Sequence, residues 1–363
     1  MKHVFAIIVG LHGLIHIMGF VSAFFSTSMD KQVMGISKPI GSLWLVAFIL
    51  FLVAATQFLG NSNWFYLAFI AVFLSQVLIV YAWKDAKFGT IPNLLIAIVA
   101  TSALGTHRFK TMVKQETEAI VLENNYSNTN IVTRADLKHL PEIVQLWLTN
   151  SGILDKEGVE TVKLKQTGIM RTKPNGNWMP FNATQYFNTK NPSFVWSTTV
   201  EAMPVISMIG RDKLIKGKGE MLIKLAGLFP VVDISDNKKI NSGSMIRYLS
   251  EICWFPSAAL KEYIAWEAIG SNAAKAIFTY NSQSVSGIFT FNEDGELISF
   301  KAQRYYGGGE KAKVESWLVE TKSLKKFNGI KIPNKSTVTW QLETGNFHWL
   351  TVEITDLEFN LKE

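Results

Sequence analysis

Cysteine is almost missing from this sequence, and charge is almost missing from its first third. The single cysteine, Cys253, excludes an intramolecular disulfide and a thiolate metal centre. It lies in the apolar run Ile252-Cys253-Trp254-Phe255, which reads as a small buried hydrophobe rather than a catalytic thiol. From Met1 to Gly105 the only acidic and basic residues are Lys2, Asp30, Lys31, Lys38, Lys84, Asp85 and Lys87. Nearly all the remaining charge follows Thr106, and so sharp a change of composition marks a domain boundary. Runs of Lys/Arg interleaved with aromatics are also lacking. The net charge of +7 is spread out and offers little for nucleic acid. The phosphate-cradling loop, the nucleophile elbow, the zinc signature and the dinucleotide fingerprint are all absent. Gly307-Gly308-Gly309 reads as a hairpin tip. The expectation is a protein without catalytic residues or a resident cofactor.

What is present in the first third is apolar length. Four segments, about Val4–Phe25, Ile40–Leu59, Trp64–Trp83 and Ile91–Gly105, approach the roughly 20 residues that cross a bilayer, the fourth being short. Trp44, Trp64, Tyr66, Tyr81 and Trp83 lie near segment ends, where interfacial aromatics belong. His12 and His16 interrupt the first segment, no small-x-small cleavage site stands out, and three more segments follow, so it reads as retained. Lys2, Arg108, Lys110 and Lys114 stand on one side of a four-span arrangement, and Lys31, Lys38, Lys84 and Lys87 on the other. That balance does not orient the protein.

Polar residues within these spans are few: His12, His16, Gln57, Ser75, Gln76 and Asn93, with Asp85 and Lys87 at a boundary. His12 and His16, four apart, share one helix face. Unpaired polar groups are costly in lipid, so these residues are expected to face the bundle interior. Hydrogen bonding between helices explains them. The alternative is a redox or transport site holding a metal or haem at His12 and His16, for which no other span supplies a histidine.

Residues 107–135 read as a charged linker, a short helical extension and then a loop around Asn124-Asn125-Tyr126-Ser127-Asn128, and 136–363 as a soluble domain. After Gly158 the apolar pattern turns to period two, with Val162, Leu164 and Gln166 alternating with lysine and threonine. Further strand candidates follow at short intervals. Asn292-Glu293-Asp294-Gly295 is a hairpin turn. A helical island, about Ser242 to Trp254, interrupts them, and Pro256 ends it. The expected fold is a four-helix transmembrane bundle followed by an α+β domain, in which a large curved antiparallel sheet, half-barrel or barrel-like, covers a helix. Charged residues among these apolar elements are Arg211, Asp212, Asp233, Arg247, Glu251 and Arg304. Paired, they tie helix to sheet; unpaired, they form the polar end of a cavity. Trp178, Phe194, Trp196, Trp254 and Trp266 supply the aromatic lining that an apolar ligand requires.

Two resemblances follow from particular residues. Leu140-Pro141, Trp178-Met179-Pro180-Phe181, Phe194-Val195-Trp196, Gly210-Arg211-Asp212, Pro230-Val231-Val232-Asp233, Trp254-Phe255-Pro256 and Phe327-Asn328-Gly329-Ile330-Lys331-Ile332-Pro333 make the stretch from Leu140 to about Phe359 resemble an uncharacterised bacterial family of unknown function. The front half, with His12-Gly13-Leu14-Ile15-His16 and Asp85-Ala86-Lys87-Phe88-Gly89-Thr90, is familiar as its accompaniment. Phe194-Val195-Trp196, a mid-domain helix and Asn328–Pro333 also resemble the lipoprotein-carrier (lipoprotein-sorting) fold. That resemblance implies a sheet wrapped on helices and a pocket for acyl chains. The expected function is non-enzymatic binding of a lipid or other apolar ligand by a multi-pass protein of the bacterial inner membrane, with an interaction module lacking any ligand as the other reading. Lipoprotein carriers work outside the cytoplasm. The first family implies a cytoplasmic β domain, and that side is the expectation adopted.

Overall fold

The computed structural model of the protein describes residues 2–25, 36–122, 130–201, 207–307 and 309–361. Asp30, Lys31, the Asn124–Asn128 stretch and Gly308, all used above, lie outside the described residues. The chain divides into two compact units, Met1–Arg108 and Phe109–Glu363.

The first unit is helical. Helices α1 (Lys2–Phe25), α2 (Lys38–Leu59) and α3 (Phe65–Tyr81) are followed by a four-residue turn, Trp83–Ala86, and a short 3-10 turn, Lys87–Gly89. Helix α4 then runs Thr90–Leu122. Three helical stretches are long and apolar enough to cross a membrane, Lys2–Phe25, Lys38–Leu59 and Trp83–Leu122; Phe65–Tyr81 is apolar but shorter. Pro39 opens α2 at a position where its missing N–H costs nothing. Small residues bring α1 against α2. A Cβ on Gly13 would lie 2.9 Å from the Cβ of Phe51, so only glycine permits that approach.

Helix α4 runs unbroken past Gly105, where the fourth segment was expected to end, and makes the expected helical extension longer, to Leu122. No proline or cap follows Gly105, and a lone glycine does not stop a helix. Phe109, Thr117 and Ile120 remain buried beyond it.

The second unit is a single antiparallel sheet of thirteen strands: β1 (Thr161–Met170), β2 (Met179–Asn188), β3 (Ser193–Glu201), β4 (Ser207–Ile215), β5 (Lys218–Leu225), β6 (Phe229–Ser235), β7 (Ile264–Ala268), β8 (Ala273–Tyr280), β9 (Gln283–Phe291), β10 (Leu297–Tyr306), β11 (Lys313–Phe327), β12 (Ile330–Leu342) and β13 (Gly345–Phe359). The strand order is β6-β5-β4-β3-β2-β1-β13-β12-β11-β10-β9-β8-β7. The sheet is therefore open, with β6 and β7 as its edges, and is not a closed barrel. Two meanders share a seam where β1 pairs with β13.

The chain must pass from one edge to the other between β6 and β7, and helix α6 (Lys238–Glu251) lies on that path; α5 (Glu142–Ser151) precedes the sheet. Helix α6 packs on β4 and β5 toward one edge and on β8, β9 and β10 toward the other. A sheet can touch one helix from both ends only by curling around it. Hydrogen bonds draw the rims together: Asn281 Nδ2 donates to Lys216 O at 3.0 Å and Gln283 Nε2 to Gly217 O at 3.1 Å. Phe187, Phe194, Phe278, Phe289, Phe300, Tyr248 and Phe255 line the concavity around α6 and form its core.

The helical island begins four residues earlier than its sequence suggested. Asn237 caps it, its side chain accepting from the Lys239 and Ile240 amides. Strand β5 meets α6 at Gly219, where a Cβ would fall 2.6 Å from Ile240 O and 2.5 Å from Ser244 Oγ. A backbone carbonyl cannot yield like a side chain. Gly219→Ala is expected to destabilise the sheet unit by about 1–3 kcal/mol. Gly309→Ala, with nothing within 4 Å of its Cβ, is expected to stay within about 0.5 kcal/mol of wild type in the same thermal unfolding measurement.

Candidate functional site

Three places collect polar or charged side chains, and each follows from local pattern. On β4, alternation sends Asp212 to the face that carries α6, and Arg211 and Lys213 to the opposite face.

The first place is the interior. Helix α6 is buried almost all round although its sequence is polar, so its charges need partners. Arg247 Nη1 donates to Asp212 Oδ2 at 2.6 Å and Arg247 Nε to Glu251 Oε1 at 2.8 Å. Gln185 Nε2 donates to Glu251 Oε2 at 2.8 Å, and Trp196 Nε1 donates to Gln166 Oε1 at 2.7 Å. The Arg247 guanidinium lies over the Phe194 and Trp196 rings, at 5.0 and 4.8 Å. Burial opposes the charge on Arg247, but Glu251 and Asp212 hold its pKa above the ordinary value. Burial pushes the Glu251 carboxyl up, against the pull of Arg247. Phe194, Trp196, Asp212, Arg247 and Glu251 are thus brought together as a packed ion network.

The remaining predicted residues scatter. Trp254 is buried in the core beside Phe187, and Trp266 donates to Ala259 O at 3.0 Å. Trp178 is exposed, sandwiched by Arg171 and His348. Asp233 is exposed on edge strand β6. Arg304 lies over Trp317 and Trp340, and burial pushes its pKa down to about 10.

The second place was not recognised in the sequence. Helix α4 lays its last turns on the sheet face opposite α6. Glu116 reaches Arg211 Nε at 3.1 Å and Lys213 Nζ at 2.8 Å, and both cations also pair with Glu220. Burial works against ionised Glu220, yet Lys213 and Arg211 hold its carboxyl below the usual range. Asn188 Nδ2 donates to Ile120 O at 2.7 Å. Between this helix and strands β1 to β4 runs a groove of about 1020 Å³. Phe109, Val113, Val121 and Leu122 form one wall, and Ile209, Thr184, Ser197 and Tyr186 line the other. The helical spacing of Phe109, Val113, Thr117 and Ile120 was the available sequence signal.

The third place is in the helical unit. His12 Nε2 and Asn93 Oδ1 lie 2.8 Å apart, Asn93 Nδ2 donates to Ser75 Oγ at 2.9 Å and to Gln76 Oε1 at 3.1 Å, and His16 Nε2 meets Ser75 Oγ at 2.8 Å. His16 Nδ1 contacts His12 O at 2.9 Å. Three of the four imidazole nitrogens are therefore engaged by protein groups, which suits interhelical hydrogen bonding better than a metal or haem. No cluster of three His, Cys, Asp or Glu occurs among the described residues. Gln57, Asp85 and Lys87 stand outside this network.

A bundle-type helical unit joined to a curled antiparallel sheet defines the class of this protein. Residues 138–359 match the family of unknown function DUF6920, and the chain belongs to that family. Curated proteins give no match. Among solved structures the chain is similar to a domain assigned to outer membrane lipoprotein sorting from Vibrio parahaemolyticus (10% identity, 61% of this chain and 93% of that one, TM-score 0.32). It is also similar to a LolA superfamily protein from Nitrosomonas europaea (8%, 56% and 88%, 0.33). A third is a DUF1329 family protein from Desulfovibrio piger (6%, 61% and 93%, 0.35). Likeness at this level carries no argument about ligands.

Removal of the interior cation tests the network. Arg247→Ala leaves Asp212 and Glu251 buried without their shared partner, and a loss of about 3–5 kcal/mol is expected in chemical denaturation of the sheet unit.

Proposed function

We propose that this chain is a multi-pass membrane protein whose sheet unit binds a lipid or other apolar ligand without catalysing a reaction. The short apolar helix α3 is read here as a fourth span, because its small buried residues Ala68 and Ala71 join the same core as Phe51 and Ile96. The single observation that carries the binding reading is the groove beside α4. Its volume of about 1020 Å³ lies at the upper end of small-molecule sites. Its walls mix aliphatic side chains of α4 with hydroxyls and lysines of the sheet, which suits an amphiphile.

The ligand site moves from where the sequence placed it. The concavity is largely occupied by α6 and its aromatic neighbours, and the groove lies on the opposite face. The filled interior also favours a second reading, an interaction module without ligand. Exposed Phe229 and Val231 on open edge β6 suit that reading.

One titration separates the two. Delipidated full-length protein is expected to take up a fluorescent fatty acid. Thr184→Trp with Ser197→Trp, which fill the groove, are expected to weaken uptake by about tenfold or more. Uptake unchanged by the double variant would remove the groove, and no uptake at all would favour the interaction module.

A further inference from the structure

Arg304 stands apart from every other interior charge. Arg247 has two carboxylates, and Arg211 and Lys213 have two more. Arg304 has no ion pair and no hydrogen bond among the described residues, and its Nε is buried without an acceptor. Asp212 and Glu251 attract it only from beyond ion-pair distance. A buried guanidinium lacking a partner is costly, so its retention asks for an explanation.

The surroundings narrow that explanation. Trp317 and Trp340 hold the guanidinium against their rings, at 4.7 and 5.8 Å. The two ring centroids are 6.4 Å apart, so both rings lie to one side of the guanidinium and leave its other side for a fork-shaped contact. Trp317 Nε1 is a second buried donor without an acceptor. Two orphan donors side by side, one of them cationic, lack an acceptor, and a negative one fits best. Helix α6 presents Gly243 here: a Cβ would sit 3.4 Å from Arg304 Nε and 3.7 Å from Nη2. The missing methyl leaves a space about one methyl group wide beside these donors, and Arg304 as a residue keeps part of its surface exposed.

We propose that Arg304, with Trp317 beside it, forms an anion site in the sheet interior that takes the carboxylate or phosphate group of a small ligand. Charge-assisted forks between arginine and these groups are short and strong. The site is distinct from the groove beside α4: Arg304 and Trp317 belong to β10 and β11, whereas the groove is lined by α4 and by β1 to β4. The other account of Arg304 is internal charge balance, in which its cation offsets Asp212 and Glu251 from a distance and a water fills the remaining space.

Calorimetric titration of the full-length protein with inorganic phosphate and with octanoate separates these accounts. Binding of either ion is expected, weakened at least tenfold in Arg304→Gln and weakened in Gly243→Ala, which keeps the charge but crowds Nε. Octanoate alone would mark an acyl carboxylate as the source, and phosphate alone a phosphate or phosphate ester. Thermal unfolding adds a readout independent of ligand. Arg304→Gln is expected to leave the unliganded Tm unchanged or raised, because it removes an unpaired charge. No binding of either ion, or binding unaffected by both variants, overturns the proposal. So does a fall in unliganded Tm of Arg304→Gln without any ion effect, the signature of charge balance.

Discussion

A sheet that curls must fill its own concavity, and the rest of this protein's second unit follows from how that is done. The filler is α6, a helix polar enough to need partners yet enclosed on nearly every side. Its buried cation, Arg247, takes Asp212 from the sheet and Glu251 from its own next turn, so each of the three charges enters the core with an opposite partner. Breaking such a network strands a buried charge, whereas forming it adds little net stability over apolar packing. Its effect is positional. It fixes the rotation of α6, which sets Gly219 against Ile240 O and Gly243 against Arg304.

With α6 in the concavity, the large groove lies on the sheet's other face. The sheet's other face carries alternating hydroxyls and lysines, and α4 is clamped there through Glu116. The clamp has an electrostatic logic that a lone surface pair lacks, because Arg211, Lys213, Glu116 and Glu220 are mostly buried and share partners. The same helix begins among the apolar residues of the first unit and ends as a wall of the groove.

Much of this was legible in the sequence. The charge gap before Gly105 announced the helical unit, and period-two alternation announced the strands. Asn292–Gly295 forms the turn expected of it. Other signals were present and passed over. Asn328-Gly329, with φ of 50° and 79°, makes a tight hairpin that extends β11 and β12 toward each other, where separate shorter strands were expected. Strand β6 carries Pro230, a residue that weakens a strand signal but is tolerated on an edge. The interior pairing of Asp212 with Arg247 was readable as a possibility, but the facing of Arg211 depended on register. A shift of one residue exchanges the two faces, and register is set by pairing partners distant in sequence. The groove was illegible for the same reason: its walls are separated by tens of residues and are joined by the Glu116 clamp and the Asn188–Ile120 hydrogen bond.

The central claim is that the ligand lies against α4 and outside the curled sheet. Photo-crosslinking tests it most directly. A diazirine-bearing fatty acid is equilibrated with the full-length protein in gently solubilised membranes, irradiated and mapped by peptide mass spectrometry. Labels are expected on the α4 peptide carrying Val113 and on β2 or β3 around Thr184 and Ser197. Labels confined to the interior peptides that carry Trp254 or Phe300, or none on the sheet unit, would contradict it.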